Sequence, residues 1–528
     1  MTSENVYQNF PHTVACYTPK QIYALEKNWF QTNDSFGLMQ QAAWQMAQYL
    51  KNNFNPKQKS ILIALGKGNN GGDGWALASF LTQICVNWQI TVVEIAPPTT
   101  DNAKQAKALW QQDYFSLSDF LDLQKTGLMP HFDLMIDALF GIGLTKKPTG
   151  DFAKIIHWIN AYKQRFNFCQ VISIDLPSGL NATDGKVYDK TAIKADITLC
   201  LLARKVGLHL QDSKDYVGNV VDLPLIPVLS DTEYFLHNHV PTFAKRSQNT
   251  HKGSYGHVLI IGGNHIDTGE QQGQGMAGAS LLSASCAFAM GVGKVTVACH
   301  NQFHNAIITV LPHAMTADLH HRASVSSLIE QVDVVAIGMG LGRDNVSFEL
   351  FKTYLKAILA HKKACVIDAD ALYHLAILAL SKVKADKYLI KKLKTANIYF
   401  TPHSAEVARL LGGDFAQIDR DKITALQNLT QKFGGTWLIK GANTLVFENK
   451  KIHISELGNA GMATAGMGDC LAGVVAGLLA QSKIIKSDYP LLTAALIHAK
   501  AGDKLAKTVG EHGVSAHDMA DYLAKVIK

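Results

Sequence analysis

Residues 61–74 read Ile-Leu-Ile-Ala-Leu-Gly-Lys-Gly-Asn-Asn-Gly-Gly-Asp-Gly, an apolar run that ends in a glycine-rich turn. Apolar residues at helical spacing follow over 76–86. A strand, a tight turn and a helix in this order are typical of a dinucleotide-binding unit, whose glycines let backbone N–H groups approach a phosphate. Asp73 is favoured near the helix start, and Glu94, which ends the next predicted strand, is a candidate ribose-binding acid. The simpler interpretation is a glycine turn with a capping aspartate.

Apolar runs of strand length recur along the whole chain, with helical patterns between them. They cover residues 61–65, 90–95, 134–139, 171–175 and 197–202, and then 258–261, 294–299, 332–337, 364–368, 397–401 and 436–440. Continuous apolar strands separated by helices predict parallel sheets that are buried on both faces. The polar stretch 224–253 with its three prolines separates the two series. We therefore predict an α/β chain with domains over 1–230 and 235–528. Within the second domain, the pattern of 276–293 predicts a buried helix, that of 418–433 predicts a helix, and that of 445–454 predicts a hairpin or a pair of short strands.

The amino-acid composition argues against several classes of protein. Fifty basic and 43 acidic residues give a net charge of only +7, and 47% of the residues are hydrophobic, which excludes wholesale disorder. The richest basic cluster, 382–394, is typical of a solvated helix face, so we expect no nucleic-acid partner. Eight scattered cysteines form no Cys-x-x-Cys pair, which argues against a zinc site. Residues 276–293 are too short and too rich in serine for a membrane span, and we expect a cytoplasmic protein without a membrane partner.

Two further carboxylates end predicted strands in the first domain. Asp137 precedes a glycine-punctuated loop, and Asp175 precedes Leu-Pro-Ser-Gly. In open parallel sheets, ligands bind beyond the carboxyl ends of the strands. We therefore expect residues 69–73, Asp137 and Asp175 to converge on one site, although a single aspartate after a strand is often only a cap.

These three motifs, Asn69 to Asp73, Asp137 to Leu144 and Asp175 to Gly179, resemble the NAD(P)HX epimerase domain over roughly 15–225. The resemblance implies a Rossmann-like three-layer sandwich that acts on hydrated NADH and NADPH. It implies a potassium ion held by Asn70, Asp137 and Ser178. The substrate contacts that it implies are Asn69, Asn70, Gly71, Gly72, Asp73, Gly141, Ile142, Gly143, Leu144, Thr145, Lys146, Lys147 and Asp175. The early helix departs from the family pattern at 38–43, which affects packing more than chemistry.

The epimerised carbon of such a substrate carries a hydroxyl beside the ring nitrogen. Loss of that hydroxyl leaves a cation that the nitrogen stabilises, and water can return on the other face. Asp137 is our candidate for the group that stabilises the cation or carries a proton. Whether it acts mainly in this way or as a metal ligand stays open.

Residues 458–473 carry the strongest signal of the second domain. Gly466-Met-Gly468-Asp469 leads directly into an apolar helical pattern. Backbone N–H groups at such a helix start form an anion-binding site, and an aspartate there is a natural general base for a substrate hydroxyl. A glycine-rich seam between packed helices is the alternative. The sequence contains no Gly-x-x-x-x-Gly-Lys-Ser/Thr motif, so a P-loop is excluded.

This element resembles the ribokinase-like superfamily, and the stretches 338–342, 368–372, 401–406 and 438–444 narrow the resemblance to the ADP-dependent NAD(P)HX dehydratase domain, over roughly 235–525. Met339 replaces the family's proline, and Ser404 and Ala405 replace Pro-Gly. The resemblance implies a three-layer α/β/α fold, ADP and Mg²⁺. The nucleotide contacts that it implies are Lys440, Gly441, Ala442, Asn443, Thr444 and Gly468, and the substrate contacts are Ala277, Gly340, His403 and Asp469, the last as catalytic base.

Together these resemblances predict a bifunctional repair enzyme that epimerises R- and S-NAD(P)HX and dehydrates the S form at the expense of ADP, giving AMP and phosphate. Its partners would be NADHX, NADPHX and ADP, and we expect a homo-oligomer. A ribokinase-type small-molecule kinase with an accessory domain is one alternative. A front domain that serves only as a binding module is another. The polar stretch 262–275 is either a mobile lid or a solvated loop.

Overall fold

The computed structural model of the chain describes residues 13–54, 59–127, 131–228, 231–243, 245–266 and 274–527. Its contacts divide the chain into two compact units. We call residues 14–234 the front unit and residues 235–528 the back unit. Most of the predicted loop 262–275, from 267 to 273, lies outside the described residues.

The front unit alternates strands and helices. Its strands are β1 (Thr13–Tyr17), β2 (Ser60–Leu65), β3 (Gln89–Glu94), β4 (Phe115–Ser116), β5 (Leu134–Ala138), β6 (Gln170–Ile174), β7 (Ile197–Leu201), β8 (Arg204–Lys205) and β9 (Asn219–Leu223). Its α-helices are α1 (Pro19–Trp29), α2 (Ser35–Asn53), α3 (Asn69–Ile84), α4 (Asp101–Ala108), α5 (Leu117–Lys125) and α6 (Gly150–Arg165).

Seven front-unit strands form a parallel sheet in the order β4-β3-β2-β5-β6-β7-β9. Along β2, Ile61, Ile63 and Leu65 pack in one core with α2 and α3, whereas Leu62 and Ala64 pack in another with α5 and α6. Because successive side chains of a strand point to opposite faces, the sheet is covered by helices on both sides. The predicted three-layer α/β class is confirmed for this unit.

The back unit also alternates strands and helices, and it contains more of both. Its strands are β10 (Tyr234–His237), β11 (His257–Ile261), β12 (His265–Ile266), β13 (Gln274–Gly275), β14 (Lys294–Cys299), β15 (Met315–Asp318), β16 (Val334–Ile337), β17 (Ala364–Ile367), β18 (Ile398–Phe400), β19 (Thr436–Ile439), β20 (Leu445–Glu448) and β21 (Lys451–Ser455). Its α-helices are α7 (Ala277–Ala289), α8 (His304–Val310), α9 (Arg322–Gln331), α10 (Asn345–Ala360), α11 (Asp370–Leu380), α12 (Lys384–Leu393), α13 (Ser404–Leu411), α14 (Phe415–Arg420), α15 (Lys422–Phe433), α16 (Met467–Ala480), α17 (Pro490–Val509) and α18 (Met519–Val526).

The back-unit strands lie in the order β15-β14-β11-β16-β17-β18-β19-β20-β21-β10. The pairs from β15 to β19 are parallel, and β19, β20 and β21 are antiparallel. The predicted hairpin within 445–454 is therefore confirmed. The stretch 276–293, predicted as a buried helix, contains α7, which packs closely on α16 because Gly473 leaves room for the backbone of Ser283. No helix among the described residues is long and apolar enough to cross a membrane.

Two helix predictions differ from the structure. The predicted helix over 76–86 begins at Asn69, because its first turn is built from asparagine and glycine and carries no apolar period. The predicted helix over 418–433 is broken at Asp421, whose side chain accepts a hydrogen bond from the backbone N–H of Thr424 and caps α15. A capping aspartate thus starts a new helix inside an unbroken apolar pattern.

Candidate active sites

The front unit contains a cavity of about 540 Å³ at the carboxyl ends of its central strands. The N-terminus of α3, the loop after β5 and side chains of α1 and α2 form much of its wall. Ten of the predicted contact residues line it, namely Asn69, Asn70, Asp73, Gly141, Ile142, Gly143, Leu144, Thr145, Lys146 and Asp175. Gly68 is the N-cap of α3 and has no side chain, so the first N–H groups of the helix are left for a ligand.

Three predicted contacts lie away from this wall. In α3, a Cβ at Gly71 would lie 1.9 Å from the carbonyl oxygen of Gly66, and one at Gly72 would lie 2.9 Å from the Cα of Ala103. These two glycines therefore serve tight packing of the helix start. Lys147 forms an exposed ion pair with Asp189 at 2.8 Å instead.

Glu94 does not take the place of a ribose-binding acid. Its carboxylate pairs with the ammonium of Lys107 at 2.7 Å, and Glu94 is absent from the cavity wall in the part of the chain that the structure describes. The dinucleotide spacing of the glycines at 66, 68 and 71 is therefore used for the turn without the acid that usually accompanies it.

Asp175 directly follows β6, and its carboxylate belongs to an ion pair at the cavity. Its backbone is left-handed, with a φ of 69°, a conformation that is uncommon for residues other than glycine and that clusters at functional sites. Its carboxylate pairs with the ammonium of Lys205, whose side chain is only 1% exposed. Lys205 also donates to the carbonyl of Leu201 at 2.6 Å. Both charged groups line the cavity, which makes Asp175–Lys205 a buried ion pair at a ligand site.

Two more acids face the same cavity. Asp73 on α3 and Glu26 on α1 both line it. Burial, followed by the charges of Asp175 and Glu26, raises the pKa of Asp73 well above its usual value. Burial and the charge of Asp175 likewise raise the pKa of Glu26. A carboxyl group of raised pKa can act as a general acid. The sequence pattern did not indicate Glu26 as a member of this site.

Asp137 is fully buried below the cavity and does not line it. Its carboxylate accepts hydrogen bonds from the hydroxyl and the backbone N–H of Ser178 at 2.6 and 2.8 Å, the hydroxyl of Ser173 at 2.8 Å and the backbone N–H of Leu139 at 3.2 Å. Burial raises the pKa of Asp137, and these hydrogen bonds lower it in part. With four donors on two oxygens, Asp137 holds the loops together and is not placed to exchange a proton with a ligand in the cavity.

Asn70 presents an unusual polar group at the cavity. It is buried, and neither its amide oxygen nor its amide nitrogen has a partner among the described residues. An unsatisfied buried amide destabilises a fold unless a ligand uses it. An amide oxygen, a serine hydroxyl and a carboxylate are the hard oxygen donors that an alkali cation takes. Of the three implied potassium ligands, Asn70 has no partner among the described residues, whereas Asp137 and Ser178 would bind the ion in place of the hydrogen bond between their side chains.

In the back unit, Asp469 stands in the first turn of α16. Gly466, with a φ of 88°, makes the sharp entry into this helix, and its predicted glycine motif is thus confirmed as a helix start. A Cβ at Gly468 would lie only 3.0 Å from the Nζ of Lys440, so this glycine lets the helix start approach the lysine. The hydroxyl of Ser283 on α7 donates to the backbone carbonyl of Asp469 at 2.7 Å and fixes its position.

Two charged neighbours, Asp368 and Lys440, affect the pKa of Asp469. Burial, followed by the negative charge of Asp368, raises the pKa of Asp469 to about 7, against the lowering effect of Lys440. The ammonium of Lys440 bridges both carboxylate oxygens of the buried Asp368 at 2.9 and 3.2 Å. A carboxylate whose pKa lies near neutral is suited to take a proton and return it, and the lysine beside it is suited to phosphate.

His403 and Glu406 lie beside this cluster. His403 caps α13, and its backbone N–H donates to the Glu406 carboxylate at 2.8 Å. Burial raises the pKa of Glu406 to about 7. Residue 403 also pairs with Lys440 in a parallel bridge, which brings the two predicted ligand residues together.

The remaining predicted contacts lie on two turns. Gly441 and Ala442 are exposed after β19, and Asn443 is buried with a φ of 55°. The hydroxyl of Thr444 donates to the carbonyl of Gly441 at 3.1 Å and closes this turn. On the other turn, Gly340 has a φ of 67°, and a Cβ there would lie 2.4 Å from the carbonyl oxygen of Met276, the residue before Ala277.

Two family models match this chain. Residues 35–207 match the family described as YjeF-related protein N-terminus, and residues 259–525 match the family described as NAD(P)H-hydrate dehydratase. A bifunctional NAD(P)H-hydrate repair enzyme Nnr of Coxiella burnetii is 30% identical over 481 residues, which cover 89% of this chain and 91% of that protein. The protein of the same description from Vibrio cholerae is 31% identical over 484 residues, covering 89% and 90%.

One solved structure is similar to part of this chain. It is the ADP/ATP-dependent NAD(P)H-hydrate dehydratase from Bacillus subtilis co-crystallized with ATP/Mg²⁺, which is 21% identical, with a TM-score of 0.43 and coverage of 54% of this chain and 93% of that one.

Proposed function

Because this chain belongs to the family of bifunctional NAD(P)H-hydrate repair enzymes, we propose that its two units divide one repair pathway between them. It epimerises the R and S forms of hydrated NADH and NADPH, and it dehydrates the S form to NAD(P)H at the expense of ADP. The front unit carries the epimerase and the back unit the dehydratase. The observation that carries this proposal is Asp469, a partly buried acid of raised pKa at a helix N-terminus beside Lys440.

In the front unit, we assign the chemistry to the acids that face the cavity. Burial raises the pKa of Asp73, and in its protonated form this acid donates a proton to the departing hydroxyl, so that water is released. The Asp175 carboxylate stabilises the cation that remains on the ring. Water then adds to the opposite face and releases its proton to solvent, from which Asp73 is reprotonated. This assignment replaces our expectation of Asp137 as the acid or base, since its two oxygens are occupied by four donors.

A potassium ion in the front unit would be held by Asn70, Asp137 and Ser178. It would fix the loops after β5 and β6 at the cavity and supply positive charge near the ligand's phosphates. The unpartnered amide of Asn70 supports this assignment.

Replacing Asn70 by leucine is expected to remove potassium activation of epimerisation without destabilising the front unit. Leucine has a similar shape and leaves no polar group unsatisfied, and an unsatisfied buried group costs about 1–3 kcal/mol. Epimerisation rates in potassium and sodium buffers measure the first effect, and thermal melts measure the second.

Asn102→Leu is the matched control for this variant, because Asn102 lines the same cavity and its amide is already paired with Ser35. The Asn102 variant should keep its response to potassium. A full potassium response in Asn70→Leu would contradict the assignment.

In the back unit, Asp469 takes the proton of the substrate hydroxyl, and the hydroxyl oxygen attacks the terminal phosphoryl group of ADP. AMP leaves, with its charge offset by Lys440 and the N–H groups of α16. The phosphate then departs from the ring carbon with help from the ring nitrogen. The neighbouring ring carbon loses a proton to the departing phosphate, which forms the ring double bond and restores NADH or NADPH. Hydroxide alone is a poor leaving group, which explains why a phosphoryl donor is consumed.

Magnesium would enter the back unit on the phosphates of ADP. Mg²⁺ prefers carboxylate oxygens, phosphates and water, and it is commonly held by one or two carboxylates. Asp368 and Glu406, whose charges interact through Lys440, fit that requirement. The ion would neutralise phosphate charge during transfer.

The test is to incubate the chain with mixed NADHX epimers and ADP and to follow the return of NADH absorbance. We expect complete conversion of both epimers, with AMP and phosphate as co-products. No return with either ADP or ATP would refute the proposal. A stable phosphorylated dinucleotide with a preference for ATP would favour the kinase alternative, and conversion of only one epimer would favour a front unit that merely binds. A homo-oligomer in the cytoplasm stays our prediction.

A further inference from the structure

Four imidazole rings gather at one edge of the back-unit sheet. We call His265, His300, His304 and His320 the histidine cluster. His265 lies in β12, His300 and His320 directly follow β14 and β15, and His304 begins α8. The ring centroids of His265 and His300 are 5.5 Å apart, and those of His300 and His320 are 5.4 Å apart. No step of the proposed dehydration uses these side chains.

The histidine cluster is joined to the predicted substrate turn by backbone hydrogen bonds. The backbone N–H of Asn264 donates to the carbonyl of Gly340 at 2.7 Å, and its carbonyl accepts from Met276 at 3.0 Å. The N–H of His300 donates to the carbonyl of Gly263 at 3.1 Å. The cluster therefore adjoins the two turns that carry Gly340 and Ala277, so a ligand that contacts those residues can extend over it.

The hydrogen bonds of Asn264 define the proton positions on one ring. Its amide nitrogen donates to the carbonyl of Leu341 and the hydroxyl of Ser347, at 3.1 and 3.2 Å. Its amide oxygen must then be the acceptor from the Nε2–H of His320 at 3.0 Å. The Nδ1 of His320 has no partner among the described residues.

Two other rings of the cluster also have a nitrogen to spare. The Nδ1 of His300 accepts from the backbone N–H of Gln302 at 3.3 Å, which places the neutral ring's proton on Nε2, and this N–H has no acceptor in the described part of the chain. The Nε2 of His304 is buried and has no described partner. Buried or half-buried nitrogens without partners are sites at which a polar ligand gains most.

The charge of the cluster indicates the kind of ligand. Burial, followed by the charges of His320 and His265, lowers the pKa of His300, while Asp318 raises it and His304 adds a small lowering effect. Four imidazoles and the carboxylate of Asp318 thus lie together at this edge of the sheet. An anion bound among the rings would accept the N–H of His300, which has no acceptor among the described residues. Phosphate is the anion that a nicotinamide dinucleotide brings.

We propose that the histidine cluster is a phosphoryl-binding subsite of the dehydratase, which holds a phosphate group of the hydrated dinucleotide while its nicotinamide end lies at Gly340 and Asp469. The inference rests on the proposed function of the back unit. Its chemistry fits both the diphosphate, which NADHX and NADPHX share, and the 2′-phosphate, which only NADPHX carries.

The first test is steady-state kinetics of the full-length double variant His300→Gln with His320→Gln. Glutamine keeps a donor for Asn264 but carries no charge. We expect KM for the dinucleotide to rise roughly tenfold or more, with kcat and the KM for ADP nearly unchanged. His313→Gln is the matched control, because its ring packs on Phe288 at a centroid distance of 4.0 Å and is not part of the cluster.

The outcomes separate the two sources of phosphate. A higher KM for both NADHX and NADPHX assigns the diphosphate, and a change confined to NADPHX assigns the 2′-phosphate. An unchanged KM for both in a folded double variant would overturn the inference. Absence of dehydration by the unaltered chain would instead overturn the proposed function.

A second measurement uses the unaltered chain and does not depend on the folding of a variant. Diethyl pyrocarbonate modifies accessible imidazoles, and mass spectrometry locates the modified residues. NADPH, which carries the same phosphates as the substrate, is expected to slow modification of His300 and His320 several-fold but not that of His313. The proposal would be contradicted if NADPH left the rate of modification unchanged at His300 and His320, as it should at His313.

Discussion

Replacing Asp469 by asparagine is expected to reduce dehydration by about a thousandfold or more and to leave epimerisation unchanged. A positioned general base contributes roughly 10²–10⁴ in rate, and its loss here also removes the group that orients the substrate hydroxyl. Asparagine preserves the shape of the side chain, and the hydrogen bond from Ser283 goes to the backbone carbonyl and persists. The measurement is NADH recovery from the S epimer with ADP, beside the rate of epimer exchange followed by chromatography.

The pH profile gives a second signature of Asp469. Because the base must be ionised, kcat/KM for dehydration in the unaltered chain is expected to fall as the pH drops below about 7. The variant should show only a low, flat profile. A residual activity of the variant with the same pH dependence as the unaltered chain would show that another group is the base.

We expect Asp469→Asn to raise the stability of the folded chain although it lowers the rate of dehydration. The pKa of Asp469 is raised from 3.8 to about 7, so the folded chain binds this proton more tightly than the unfolded chain. The ionised side chain therefore lowers stability as the pH rises through this window, and asparagine removes that penalty above it. We expect a higher melting temperature for Asp469→Asn at pH 8. The control is Asp488→Asn, an exposed change in the same unit that should alter neither property.

Much of both sites could be predicted from local patterns. A strand that ends in glycines, and a carboxylate that ends a neighbouring strand, lie at one edge of a parallel sheet by geometry alone. For this reason Asn70, Asp73 and Asp175 were found together on the cavity wall. The glycine turn before Asp469 likewise predicts a helix start, because its backbone conformation excludes most other residues.

Tertiary packing determines which of the predicted residues face the cavity, and the sequence patterns do not show this. Asp137 ends its strand as Asp175 does, but Ser173 and Ser178 surround its carboxylate with donors and remove it from the cavity. Gly71 looked like a ligand contact, yet it is glycine because the backbone of the turn lies 1.9 Å from where its Cβ would be. Both distinctions depend on contacts between residues that are distant in sequence or on backbone geometry that no spacing rule encodes.

Lys205 illustrates the same limit most clearly. It lies 30 residues from Asp175 in sequence, on a strand of two residues, and no periodicity indicates it. Its position follows from the parallel pairing of β8 with β1, which sets Lys205 beside Tyr17. Burial alone would lower the pKa of Lys205, but the charge of Asp175 raises it, so the ammonium form is kept.

Replacing Lys205 by methionine is expected to destabilise the front unit by about 3–5 kcal/mol and to abolish epimerisation. Methionine fills a similar volume, but the substitution leaves the Asp175 carboxylate with no counter-charge at a site where Lys205 is 1% exposed. Breaking one side of a buried ion pair in this way costs more than the pair contributes, because an isolated charge stays in a poorly solvated place. Hydrogen exchange of front-unit peptides in the full-length chain measures the loss separately from the back unit.

The double variant Lys205→Met with Asp175→Asn separates stability from chemistry. Removing both charges is expected to restore most of the lost stability, since a neutral pair needs no counter-charge. Epimerisation should not return, because Asp175 is the group that stabilises the ring cation. Lys147→Met is the matched control: it breaks an exposed ion pair with Asp189 near the same site and should cost no more than about 1 kcal/mol. If Lys205→Met behaved like this control, the Asp175–Lys205 pair would matter no more to stability than an exposed ion pair, and the proposed role of Asp175 would fail with it.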